Sequence, residues 1–303
     1  MWYLILIFFL GVLTPIQTAA NSRLRQSVIS PFIASLVSFS VGTIFLLIVT
    51  FCEKGGVLID RKLFSSIPWW AWLGGLCGLW GLTVNIMIFP KLGAMQTALM
   101  PMLGQIIMGI IIDSFGLLQS PNFPFTFLRF ISVLIILFGM FMVIWQKSSE
   151  KKRENKLLWQ AIGFSGGAVF ALQPSMNSLL SIGLYSSVHA AFISFFTATV
   201  VLIFIAVLIP SNRVHIPQIF SLARPWWSWL GGIIGGTFVT GFAFFASKTG
   251  IGILLVTSIC GLLANSLAID KFGWLGTEKK RIRPVQYLGL ICVVLGIMIL
   301  RLN

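Results

Sequence analysis

The sequence predicts an all-α integral membrane protein of about ten transmembrane helices, arranged as two inverted-topology five-helix repeats. Three observations carry that reading. The first is composition: of 303 residues, 57% are hydrophobic and only 9% charged, with 27 Phe and 11 Trp. A soluble domain carries roughly 25% charged residues, so this chain has too few charges to coat a water-facing surface. The second is the recurrence of apolar runs near the ~20 residues that cross a ~30 Å hydrocarbon core. The third is an internal duplication.

Taken in order, the spans run from about Trp2 to Ala20, Pro31 to Phe51, Trp69 to Phe89, Gly93 to Ile112 and Phe125 to Trp145. The second set runs from about Leu158 to Met176, His189 to Ile209, Trp226 to Ala246, Gly250 to Ile269 and Val285 to Leu300. No Lys or Arg precedes the first run, so the basic n-region of a signal peptide is missing and a permanent helix is expected. The only long polar stretch, Gln146 to Lys156, divides the chain into a first five-helix repeat (1–146), a basic linker (147–156) and a second five-helix repeat (157–303).

The halves align with each other. At an offset of 157, Pro68-Trp69-Trp70-Ala71-Trp72-Leu73-Gly74-Gly75 matches Pro225-Trp226-Trp227-Ser228-Trp229-Leu230-Gly231-Gly232, and Asp113-Ser114-Phe115-Gly116 matches Asp270-Lys271-Phe272-Gly273. At an offset of 156, Gln17 and Asn21-Ser22 match Gln173 and Asn177-Ser178, and Ser38-Phe39 matches Ser194-Phe195. Shared hydrophobicity does not align Trp, Asp and Asn together. Because five spans is an odd number, the second copy enters the membrane from the opposite side, the geometry of an inverted repeat enclosing a midplane site.

Loop charge sets an orientation. With the N-terminus outside, 15 of the 21 Lys and Arg fall on the inner side, so the positive-inside rule puts both termini outside and the linker in the cytoplasm. The net charge of +14 does not indicate nucleic acid, because that reading needs a basic face on a soluble domain. The four cysteines form no CxxC pair and His189 has no Cys, His or Asp at ligand spacing, so neither a disulfide framework nor a metal site is expected. There is no phosphate-binding GKS/GKT signature and no GxSxG elbow, so no cofactor and no enzymatic activity is expected.

Candidate solute-binding residues follow from polar groups at span depth. Gln17 and Asn21 are four apart and share a helix face, as do Gln173 and Asn177; lipid would leave their amides unpartnered. Pro15 and Pro174 interrupt the same two spans, and broken spans at matching repeat positions point to a transport site. The plainer alternative is that the amides glue helices together. Further lining candidates are Gln96, Gln105 and Asn265 in the fourth and ninth spans, and Trp80 and Asn85 in the third. Asp113 and Asp270 close the fourth and ninth spans, either as gating or coupling groups or as interfacial residues. Gly74 and Gly78, with Gly231 and Gly235, have the GxxxG spacing of close helix packing.

The pattern resembles the YdcZ-like inner-membrane exporters of the drug/metabolite transporter superfamily. The resemblance rests on Pro15-Ile-Gln-Thr-Ala-Ala-Asn-Ser22, Pro31-Phe32 with Ser35 and Ser38-Phe39, Lys91-Leu-Gly93, Gly104-Gln105 and Asp113-x-Phe-Gly116, with their second-copy equivalents. Family members are often a single five-helix unit, so the chain looks like a tandem fusion of two. The resemblance implies a helical exporter fold in a bacterial inner membrane. Small multidrug-resistance relatives use a membrane-centred glutamate in their first helix, and no acid occupies the first or sixth span here. Ten-helix relatives usually keep both termini in the cytoplasm, opposite to the charge count.

The expected function is secondary transport of a small organic solute by alternating access, with the lipid bilayer as the other partner. A passive channel is the alternative, followed by a membrane-embedded enzyme or lipid-handling scaffold. With both repeats in one chain, a monomer suffices.

Overall fold

The computed structural model describes residues 2–28, 30–144, 156–213, 216–217, 226–274 and 282–301; the linker expected at 147–156 lies outside them except for Lys156. In these residues the order is α1 (Trp2–Val28), α2 (Pro31–Lys54), α3 (Arg61–Ser66), α4 (Gly74–Phe115), α5 (Phe127–Ile144), α6 (Lys156–Leu184), α7 (Ser187–Leu208), α8 (Pro210–Arg213), α9 (Leu230–Thr249), α10 (Ile251–Phe272) and α11 (Pro284–Arg301). No strand occurs among them. Among the described residues, five segments are long and apolar enough to cross a membrane: Trp2–Arg25, Phe32–Lys54, Ser187–Leu208, Trp226–Thr249 and Ile251–Phe272. Leu99–Phe115, Phe127–Val143 and Pro284–Leu300 are shorter apolar helices.

Local chemistry repeats between the halves. Ser30 caps α2 by accepting the Ile33 N–H at 3.4 Å, with Pro31 in the first helical turn, and its aligned partner Ser186 caps α7 by accepting the His189 N–H at 3.0 Å. The Trp-rich segments Trp69–Leu73 and Trp226–Trp229 are 3-10 turns that lead into α4 and α9. Between α9 and α10 the chain turns at Gly250, whose φ of 76° suits a residue without a Cβ.

The sequence places two spans where α4 runs as one helical element. A straight helix would separate Val84 from Pro101 by about 25 Å. A methyl at Gly166 would nevertheless lie 2.8 Å from Val84 Cβ, and one at the adjacent Gly167 lies 1.9 Å from the Pro101 carbonyl oxygen. The two arms of α4 therefore fold back on each other, turning between Ile88 and Met100, in register with the break at Gly250.

Two compact units divide the chain, and each draws on both sequence halves. The first comprises Met1–Val12, Trp80–Leu172 and Lys248–Asn303; the second comprises Leu13–Leu79 and Gln173–Ser247. In the first unit, Ile106, Ile136, Met140, Val256 and Val293 centre a core built from α4, α5, α10 and α11. Here α5 lies along α11, and a methyl at Gly139 or Gly289 would come within 2.6 Å of the other's carbonyl oxygen. The start of α1 lies on α10, where a methyl at Gly11 would be 1.9 Å from the Ser258 oxygen and one at Gly261 2.0 Å from that of Phe8. The aligned residues repeat the contact, with Gly167 against Pro101 at 1.9 Å and Gly104 against Phe164 at 2.0 Å. Phe127, Phe130, Leu134, Phe138 and Phe141 of α5 stay exposed, the stripe a helix offers to an apolar solvent.

In the second unit α2 lies against α7, joined by the aligned pairs Phe39 and Phe195, with ring centroids 4.9 Å apart, and Thr43 and Thr199, with hydroxyls at 2.9 Å.

Candidate functional site

The amide pairs and the glycine motifs, separate features in the sequence, interlock in the second unit. On α6, Gln173 and Asn177 project from successive turns of one face. They lie in the groove of Gly74 and Gly78 on α4: a methyl at Gly74 would sit 2.3 Å from Asn177 Oδ1, and one at Gly78 2.6 Å from Gln173 Nε2. The order of contacts is reversed along the two helices, so they run antiparallel. The first copy's amides occupy the second copy's groove in the same way. Gly231 faces Asn21 Oδ1 at 2.2 Å and Gly235 faces Gln17 Nε2 at 2.6 Å. The neighbouring glycines receive backbone, with the Ser194 carbonyl oxygen 1.9 Å from a methyl at Gly75 and that of Ser38 2.2 Å from one at Gly232.

Although the two frames match position by position, their hydrogen bonds do not. Ser194 Oγ accepts Gln173 Nε2 at 3.3 Å and Asn177 Nδ2 at 3.2 Å, and one turn further along α6 Ser181 bonds Ser187 at 2.6 Å. Gln173 and Asn177 are 4% and 1% exposed. In the first copy Gln17 and Asn21 are half-buried, and neither they nor the buried Ser38 hydroxyl make a hydrogen bond among the described residues. Asn21 Oδ1 and Asn177 Oδ1 are both buried without such a partner and rest on glycine Cα atoms, where only weak C–H···O contacts are available.

Electrostatically this frame is neutral: its side chains are amides and hydroxyls, each able to donate and to accept. Ionised groups lie at the helix ends. At one end, Ser186 Oγ donates to Glu53 Oε2 at 2.7 Å and Lys54 Nζ donates to the Leu184 carbonyl, so the α6–α7 turn is tied to α2. At the equivalent turn between α1 and α2, Ser30 Oγ donates to Asn212 Oδ1 at 2.8 Å.

The remaining candidates belong to the first unit. Asp113, 2% exposed, accepts the N–H groups of Ile251 and Gly252, each at 2.7 Å, and so caps α10 from the end of α4. Its own carbonyl accepts the Phe123 N–H at 2.8 Å, and Arg129 donates to the Phe123 carbonyl at 2.8 Å. Asn265 donates to the Val12 carbonyl at 2.7 Å. Gln105, Asn85 and Asp270 are half-buried and Trp80 is half-exposed; Gln96 is in α4, with its side chain outside the described set. The structure thus brings the four amides into matched grooves, while Asp113 and Asn265 are engaged with backbone.

Sequence reasoning missed Ser194 and Ser38 as site residues. Their signal was present, since Ser38-Phe39 aligns with Ser194-Phe195, but serines in apolar helices commonly bond their own preceding turn, and spacing does not reveal which amide lies opposite. Among the described residues no group of three His, Cys, Asp or Glu is placed to hold a metal ion.

The family model described as "Putative inner membrane exporter, YdcZ" matches the chain twice, over residues 2–142 and again over 158–299. A solved structure described only as "Crystal structure of protein" is similar with a TM-score of 0.71 at 13% identity, covering 99% of this chain and 96% of that one, a likeness of fold. No curated protein matches the chain in sequence.

Proposed function

The chain belongs to the YdcZ inner-membrane exporter family, as two tandem units in a multi-pass inner-membrane protein, and on that premise we propose that it is a secondary transporter moving a small organic solute by alternating access. The observation that carries this reading is the pair of interlocked frames. Each groove contact occurs twice with the copies exchanged, as in any twofold-related pair, yet the second-copy amides are closed on Ser194 while the first-copy amides make no such bonds among the described residues. Two equivalent elements in unequal states are the asymmetry by which inverted repeats open one site to alternate sides. A turnover then exchanges the states, with Gln17 and Asn21 closing on Ser38 as Gln173 and Asn177 leave Ser194. The excess of Lys and Arg on one side supports a cytoplasmic linker.

The test is solute flux into proteoliposomes, using amino acids, nucleosides, sugars, quaternary amines and organic anions, with and without a pH gradient. Saturable flux that is lost on combining Gln17→Ala with Gln173→Ala supports the reading. Flux untouched by the double substitution would reduce the amides to helix-packing groups.

A further inference from the structure

The two copies of the amide frame differ at one more position, and that difference has a chemical consequence. Gln17, Asn21 and Arg25 are spaced by four and form a ladder on one face of α1; the aligned ladder on α6 is Gln173, Asn177 and Ser181. Every rung of the α6 ladder is hydrogen-bonded inside the protein, two on Ser194 and the third on Ser187. On α1, by contrast, all three rungs are half-buried and none makes a hydrogen bond or ion pair among the described residues. Ser38 takes the position Ser194 holds in the other frame, its carbonyl meeting Gly232 where Asn21 meets the adjacent Gly231. It is 7% exposed, and its hydroxyl likewise lacks a partner among the described residues.

Polar side chains that each find a protein partner in one copy, and none among the described residues in the other, form a receptive set, because a donor or acceptor that loses water without gaining a partner carries a free-energy cost. Arg25 decides the partner's charge. Where the closed copy has a small hydroxyl, this copy carries a permanent cation with five donors in a planar fork, the geometry that fits a carboxylate. The rungs toward the middle of the helix are neutral amides with both donors and acceptors.

We infer that Gln17, Asn21 and Arg25, with Ser38, form the loading site for a small organic anion, its carboxylate on Arg25 and its polar, uncharged body on the two amides and the serine. The assignment rests on the transporter reading, and it adds a substrate class and a loading side. The charge count puts the Arg25 end of α1 in the cytoplasm, the side from which an exporter loads.

Binding is measured on the solubilised full-length chain by hydrogen–deuterium exchange of α1 and α2 peptides, titrating acetate, lactate, gluconate and glutamate against choline and ribitol. The carboxylates are expected to protect these peptides saturably, and choline not to. Arg25→Gln should weaken carboxylate binding by at least about tenfold, the scale of one hydrogen bond to a charged group, and Arg25→Lys should recover part of it. Ser38→Ala should weaken binding while leaving thermal stability close to wild type, which a purely structural serine would not do. The proposal is overturned if no carboxylate protects the peptides, if ribitol protects them as well as gluconate does, or if Arg25→Gln leaves carboxylate affinity unchanged. Carboxylate binding without carboxylate flux would refute the transport reading and leave the site standing. Saturable flux of other solutes without carboxylate binding would do the reverse.

Discussion

Replacing Asp113 by Asn separates a structural carboxylate from a proton-coupling one. The Asp113 carboxylate spends both oxygens on α10, accepting Ile251 N–H and Gly252 N–H at 2.7 Å each. Hydrogen bonds involving a charged partner contribute ~1.5–3 kcal/mol apiece, and a negative charge at a helix N-terminus adds a few tenths to 2 kcal/mol. Asparagine keeps one acceptor but turns an NH2 group toward the second backbone N–H, leaving that donor buried and unmet. It also removes the negative charge that acts on the neighbouring Arg129. The loss comes to about 3 kcal/mol, or roughly a hundredfold in an equilibrium constant. Thermal unfolding followed by tryptophan fluorescence in nanodiscs, paired with flux per folded molecule across pH 5 to 8, reads both quantities. Asp113→Asn is expected to be clearly less stable than wild type, with the pH profile of flux retained. A variant as stable as wild type whose flux has lost its pH dependence would refute the capping argument and make Asp113 the proton carrier.

Two further outcomes follow from the same geometry and charge pattern. Gly11→Ala places a methyl 1.9 Å from the Ser258 carbonyl oxygen, which only a backbone shift can relieve, whereas the same change at Gly56 meets nothing within 4 Å. The first variant should lose its monodisperse peak in size-exclusion chromatography and the second should stay within about 0.5 kcal/mol of wild type; equal behaviour of the two would contradict the close approach of α1 and α10. In a background lacking Cys52, Cys77, Cys260 and Cys292, a Ser149→Cys variant should react with a membrane-impermeant maleimide from the cytoplasmic side, and labelling from outside would reverse the orientation.

How much of this was legible in the sequence depended on what spacing can carry. The duplication was, because Trp69 and Trp226, Asp113 and Asp270, and Asn21 and Asn177 repeat at near-constant offsets. The turn inside α4 was also expected, since apolar runs of span length bracket Pro90 and Gly93, although the helical assignment crosses it. Partnership was not legible. Periodicity puts Gln173 and Asn177 on one face and Gly74 and Gly78 on another, but it does not say that the two faces meet, nor that the copies exchange partners. Ser194 stayed hidden because one hydroxyl accepting from two amides has no sequence signature. Asp113 was ambiguous for a related reason: whether a carboxylate at a helix end faces water, a proton path or the N-terminus of another helix is set by tertiary packing.

The central claim, carrier-type exchange at the paired amide frames, is tested most directly by counterflow. Proteoliposomes loaded with unlabelled substrate are given the same solute in labelled form outside, and accumulation of label above its equilibrium level is followed over time. Alternating access predicts a transient overshoot that saturates with external solute and disappears in Gln17→Ala combined with Gln173→Ala. Uptake that rises linearly with concentration, never exceeds equilibrium and is indifferent to the internal solute would contradict it, and would make the protein a passive pore.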